Sequence, residues 1–253
     1  MRLLSFGATD PGKKRANNED AYLLNDGQGL YAVADGVGGH EGGEIASRIA
    51  VETLAEAVPD LLGDRDRTPP SGSESRSGPE LSALRHAVGL ANRRIHGSVG
   101  KNQALAGMGT TLTALLVKRK RIFLAHIGDS RAYLLRSGRL AQLTVDHSVV
   151  AEQVRAGVLT AAQARSSPYR HVITRALGLD AEAVPDLTEQ PLQRGDRYLL
   201  CSDGLTEMVD DREIGRLVAA SPPRDAVMRL IDTANGRGGL DNITAVIIEV
   251  AEV

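Results

Sequence analysis

The sequence predicts a layered α+β domain rather than a parallel, doubly wound sheet. Two observations carry that expectation. Strand-like runs and helical patterns arrive in blocks instead of alternating one for one. The runs between residues 110 and 143 are also separated by tight-turn signals, as in an antiparallel meander.

Taken in order, residues 3–7 and 29–34 are short apolar runs and read as strands. Residues 44–57 set Ile45, Ile49, Leu54 and Ala57 at spacings that suit one helical face. Residues 63–79, rich in Pro, Ser, Gly and charge, read as a flexible loop too short to link domains. A second helix follows over 80–99, with Leu81, Leu84, Val88, Ala91 and Ile95 on its apolar face. Strands are expected at 110–117, 121–127, 132–136 and 139–143, with turns at Lys118-Arg119-Lys120 and Ser137-Gly138. Helices are expected at 149–156, 160–165, 211–219 and 224–233, and strands at 197–202 and 243–250.

Composition excludes several classes of function. With 30 Lys+Arg against 32 Asp+Glu, the formal net charge is −2, which argues against nucleic acid or an anionic membrane as partner. Aromatic residues are 3% of the chain and Trp is absent, so base-stacking platforms are not expected. Cys201 is the only cysteine, which rules out a disulfide framework and any multi-Cys metal site. No secretory leader or membrane-length apolar run is visible, so a soluble, cytoplasmic protein is expected. At 253 residues, 42% of them hydrophobic, the chain can bury its own core, and 1–253 is expected to be one domain.

Three motifs fail on inspection. Gly7-Ala8-Thr9-Asp10-Pro11-Gly12-Lys13 resembles a phosphate-binding loop, but Lys14 stands where Ser or Thr must hold magnesium. Gly128-Asp129-Ser130 suggests an esterase serine, yet no His has an Asp three places before it. His40-Glu41-Gly42-Gly43-Glu44 lacks the second His of a zinc helix.

The acidic residues are more telling. Asp35, Asp129 and Asp203 each end an apolar strand-like run beside Gly or another small residue, and Asp241 follows Gly238-Gly239-Leu240. Asn18-Glu19-Asp20 precedes a fifth apolar run. A lone Asp-Gly pair is ordinary turn chemistry. Several carboxylates gathered at strand mouths would repel unless multivalent cations neutralised them. Oxygen donors without Cys or His select hard ions, Mg²⁺ or Mn²⁺ over Zn²⁺. The pattern therefore points to a binuclear metal site.

These residues lie within a longer series. It comprises Arg15 and Asn18-Glu19-Asp20, Val33-Ala34-Asp35-Gly36-Val37-Gly38-Gly39, Met108-Gly109-Thr110-Thr111, Ile127-Gly128-Asp129-Ser130-Arg131 and Asp146-His147-Ser148. Ile173-Thr174-Arg175-Ala176-Leu177-Gly178, Ser202-Asp203-Gly204-Leu205 and Asp241-Asn242-Ile243-Thr244 complete it. In this order, across nearly the whole chain, the series resembles the bacterial metal-dependent Ser/Thr protein phosphatases of the PPM, or type 2C, family.

The resemblance implies a central β-sandwich of two antiparallel sheets with helices on both faces. It implies that Asp35 bridges two Mn²⁺ or Mg²⁺ ions, that the Gly36 carbonyl, Asp20 and Glu19 serve the first, and that Asp203 and Asp241 hold the second. Asp129, with Asp203, would hold a possible third ion, and Arg15 would bind substrate phosphate. The implied reaction is direct attack on phosphoserine or phosphothreonine by a metal-bridging hydroxide, with Asp35, Asp203 and Arg15 as the catalytic set and no role for Cys201. Implied partners are phosphorylated proteins and a cognate bacterial Ser/Thr kinase, with a monomer as default. Val37 stands where animal members often carry a His acid, so the proton donor is expected to be a metal-bound water near Asp129, with His40 as a spare candidate. Residues 148–170 fall where bacterial members carry a mobile flap. Two other activities stay open on the residues alone, a phosphoprotein-binding adaptor and a hydrolase of small phosphate esters or nucleotides.

Overall fold

The computed structural model describes residues 1–38, 42–63, 78–99 and 105–253. Gly39, His40 and residues 64–77 of the expected loop lie outside the described residues.

Among the described residues, eleven strands form two antiparallel sheets. In the first, β1 (Arg2–Asp10), β11 (Ile243–Glu252), β10 (Arg197–Cys201), β7 (Arg131–Arg136) and β8 (Arg139–Gln142) lie in that order. In the second the order is β2 (Asp20–Asn25), β3 (Leu30–Val37), β5 (Leu112–Lys118), β6 (Arg121–Ile127) and β9 (Asp186–Pro191), with β4 (Gly109–Thr110) paired to the end of β3. Helices α1 (Gly42–Gly63) and α2 (Pro79–Val99) cover the outer face of the second sheet. Helices α5 (Asp203–Thr206), α6 (Asp211–Ala220) and α7 (Pro223–Gly236) cover the first. The short helices α3 (Val149–Arg155) and α4 (Ala161–Arg165) stand in the segment between β8 and β9.

Side-chain alternation explains the layering. Along β3, Tyr31 and Val33 point to the middle of the sandwich, where they meet Leu134, Tyr198, Leu200, Val246 and Ile248 of the facing sheet. Leu30, Ala32 and Ala34 point outward onto α1 and α2. Both faces of the central strands are covered, so those strands read as continuous apolar runs rather than alternating ones.

The structure revises several local expectations. The runs between 110 and 143 do not form one meander: β5–β6 is a hairpin of one sheet, β7–β8 of the other, and the chain crosses between sheets over Gly128-Asp129-Ser130. Strand 110–117 breaks at Thr111, whose N–H donates to Asp35 O. On α1 the buried face is Ala46, Ala50, Val51, Leu54, Ala57 and Val58, while Ile45 and Ile49 are only partly buried, because small residues let the helix approach the sheet. Both expected turns are present, with positive φ at Arg119, Lys120, Ser137 and Gly138, as tight hairpins require. Cys201 is fully buried in β10.

Candidate active site

Antiparallel pairing brings the acidic residues together. Where one strand ends its neighbour begins, so Asp35 near the end of β3 lies opposite Asp20 at the start of β2. By the same logic the end of β10, leading into Asp203, lies beside the start of β11, just after Asp241. The crossover carrying Asp129 leaves β6 at this rim and enters β7 beside Cys201. Sequence positions more than two hundred residues apart thus share one end of the sandwich.

Hydrogen bonds fix the rim. Asp20 Oδ2 accepts from Ser202 Oγ at 2.7 Å and Thr244 Oγ1 at 2.6 Å, tying β2 of one sheet to the other. Asn242 Oδ1 accepts from Glu19 N at 2.8 Å, and its amide donates to the carbonyls of Pro11 and Asn17. Thr111 Oγ1 accepts from Asp35 N at 2.9 Å and shares a 2.7 Å hydrogen bond with Ser130 Oγ, so one hydroxyl joins β3 at Asp35 to the turn that carries Asp129.

The electrostatics are those of crowded anions. Burial pushes the Asp35 carboxyl well above the usual carboxylate range, and Asp20, Asp203, Asp129 and Asp241 push it further. Asp20 is raised to about 7 by burial, with Asp203 and Asp241 adding to it, although its two hydroxyl donors favour the anion. Asp203 and Asp129 are raised by burial first, then by Asp241 and Asp203 respectively. Burial also raises Glu19, against the opposing pull of Arg15. Arg15 NH2 donates to Asp241 Oδ2 at 2.7 Å from the solvent side.

The donor set fits hard divalent cations. Asp20 Oδ1 is buried and has no hydrogen-bond partner, an oxygen that asks for a cation. At Gly36 a Cβ would lie 2.2 Å from Gly43 O and 2.6 Å from Glu19 O, so backbone crowds this point and only glycine leaves room there. Every expected ligand offers oxygen.

All the expected site residues, Arg15, Glu19, Asp20, Asp35, Gly36, Asp129, Asp203 and Asp241, lie in this one region. Two further residues were not expected there. His171 Nδ1 lies 2.7 Å from Glu207 Oε1, and these two with Asp203 place one potential ligand atom each within 4.8 Å of one another. Burial, then Asp203, raises the Glu207 carboxyl to about 7. Neither residue had a sequence signal beyond the position of Glu207 one helical turn after Asp203.

Comparison with known proteins bears on family and fold. The profile of the family described as Protein phosphatase 2C matches residues 12–243. The chain is 41% identical over 251 residues to the serine/threonine protein phosphatase PstP of Mycobacterium tuberculosis, covering 99% of this chain but 46% of that protein, about half its length. It is 39% identical over 248 residues to protein phosphatase PhpP of Streptococcus pneumoniae, covering 96% of each. Among solved structures, the PstP catalytic domain in complex with two manganese ions superposes with a TM-score of 0.84 at 39% identity, covering 99% of both chains.

Proposed function

The chain belongs to the Protein phosphatase 2C family, and on that premise we propose that residues 1–253 are one catalytic domain that hydrolyses phosphoserine and phosphothreonine in proteins, opposing a Ser/Thr kinase. The observation that carries this reading is the convergence of five aspartates, from five separate stretches of chain, on one rim, where burial raises the carboxyls of Asp20, Asp35, Asp129 and Asp203.

Asp35, Asp20, Asp203, Asp241 and the Gly36 carbonyl would hold two Mn²⁺ or Mg²⁺ ions, with Glu19 beside them, and Asp129 with Asp203 a third. Cations bound there would make a water acidic enough to serve as nucleophile and would offset phosphate charge. The protein's own groups do the positioning. Ser202 and Thr244 hold Asp20 in one orientation through their hydroxyls. Arg15, anchored at Asp241, has further N–H donors for the phosphate dianion, whose oxygens suit a guanidinium fork. Cys201, whose thiol burial pushes up to about 12, stays outside the chemistry.

The test is hydrolysis of an aryl phosphate with Mn²⁺, with and without EDTA, in wild type and Asp203→Ala. Activity that needs the metal and disappears in the variant is expected. Silence in every condition would mean a binding protein. A phosphothreonine peptide is then expected to be turned over ahead of a phosphotyrosine peptide or a nucleotide.

A further inference from the structure

Close to the aspartate rim, two buried imidazoles make hydrogen bonds that the proposed chemistry does not use. His126 and His147 have ring centroids 4.9 Å apart, and each is 2% exposed. His126 is held by Thr113 Oγ1 and Val145 O.

His147 grips a single residue, Gly128, from both sides. Its backbone N–H donates to Gly128 O at 2.8 Å, and Gly128 N–H donates to its Nδ1 at 3.1 Å. Gly128 has φ +108, and a Cβ there would lie 2.5 Å from the Thr111 side chain, so the turn is tightly confined. The next residue is Asp129. An amide N–H can only donate, so Nδ1 must carry the lone pair and the ring proton sits on Nε2. Nε2 then donates to Asp186 Oδ2 at 3.2 Å, while Arg175 NH1, 3.3 Å from that protonated nitrogen, finds no lone pair there and donates to Asp186 Oδ1 at 3.2 Å. Burial lowers the His147 pKa against the pull of Asp186, in keeping with a neutral ring.

His147 also closes the base of the segment that carries α3 and α4. Its carbonyl accepts from Thr174 N at 2.8 Å, Ser148 bridges to Ile173, and Val149 N donates to Val172 O. One residue therefore joins the Asp129 turn to both stems of that segment.

We propose that His147 is a positioning residue that aims the Asp129 carboxylate through the Gly128 amide, and so sets the affinity of the cation that Asp129 holds. The inference rests on the proposed phosphatase reading, in which Asp129 serves the third, weaker cation. Groups hydrogen-bonded directly to a metal ligand change metal affinity about 10–100-fold when lost, and His147, which holds the residue before the ligand, is expected at the lower end of that range.

The test is calorimetric titration of the ion-free protein with Mn²⁺, without substrate, using Asp129→Asn to identify the binding event that belongs to Asp129. In His147→Leu that event should weaken about tenfold or more, while the other events keep their affinities. His147→Asn, whose amide oxygen can accept from Gly128 N–H, should stay within a few-fold of wild type. Unchanged affinity in the Leu variant, equal loss of every event, or an Asn variant no better than Leu would each overturn the proposal. A readout independent of any variant is the ¹⁵N spectrum of the His147 ring in the wild-type protein. A proton on Nε2 is expected, and a proton on Nδ1 overturns the Gly128 bond. Wild-type protein that takes up no Mn²⁺ defeats the phosphatase reading itself, and this inference with it.

Discussion

Arg15 separates catalysis from folding. Its side chain is 55% exposed, and an exposed ion pair such as that with Asp241 adds little to stability. Arg15→Ala should therefore leave the melting temperature nearly unchanged. Losing charge-assisted hydrogen bonds to the phosphate, worth about 1.5–3 kcal/mol, should lower kcat/KM roughly 10–100-fold. Arg15→Lys should recover only part, since an ammonium lacks the fork. Wild-type kinetics in Arg15→Ala would remove this residue from the phosphate site. At this scale the aspartates were legible because each borders an apolar run or follows a glycine pair. His171 and Glu207 were not, because a lone His in a polar stretch has no local signature and meets Glu207 only through the fold.

At the scale of elements, the end of β3 abuts the start of α1 at Gly36. Gly36→Ala would push a Cβ to 2.2 Å from Gly43 O, and overpacking of this kind costs about 1–3 kcal/mol. A melting temperature lower by several degrees is expected, together with weaker Mn²⁺ binding as the carbonyl shifts. An Ala variant that melts and binds as wild type does would show that the backbone here has room to spare. Elements with two covered faces were easy to read, and β6 has the bounds its apolar run suggested. The edge strand β9, Asp-Leu-Thr-Glu-Gln-Pro, was missed because its charges and terminal Pro, which suit an unpaired edge, look like a loop. The sheet-to-sheet crossing at Gly128-Asp129-Ser130 also escaped the sequence, since a turn within a sheet and a turn between sheets use the same residues.

For the molecule as a whole, the gathered carboxylates make stability depend on pH and cations together. Asp20, at about 7, and the raised Asp35, Asp129 and Asp203 bind protons more tightly folded than unfolded. Between the ordinary carboxylate range and these raised values the native state holds more protons, so stability falls as pH rises and the penalty is complete above them. His126, lowered to about 4 by burial, acts in the opposite direction, losing stability as pH falls from about 6.5. With Glu19 and Glu207 also raised, six raised acids stand against two lowered histidines, His126 and His147, and this gives the sign: the ion-free protein should melt higher at about pH 5.5 than at about pH 7.5, and Mn²⁺ should raise the melting temperature more at the higher pH. A Mn²⁺ effect equal at both would contradict this. Composition set limits on what the chain could be, and among the described residues no helix is long and apolar enough to cross a membrane. The two-sheet arrangement followed from family resemblance, because block order alone does not say how sheets stack.

The most direct measurement is the heat of Mn²⁺ binding to the ion-free protein near pH 6.5, repeated in buffers of different ionisation enthalpy. Carboxyls that hold protons in the absence of ions must give them up to coordinate, so the account predicts uptake of at least two ions with net proton release. Uptake without proton release, or no uptake, would contradict it.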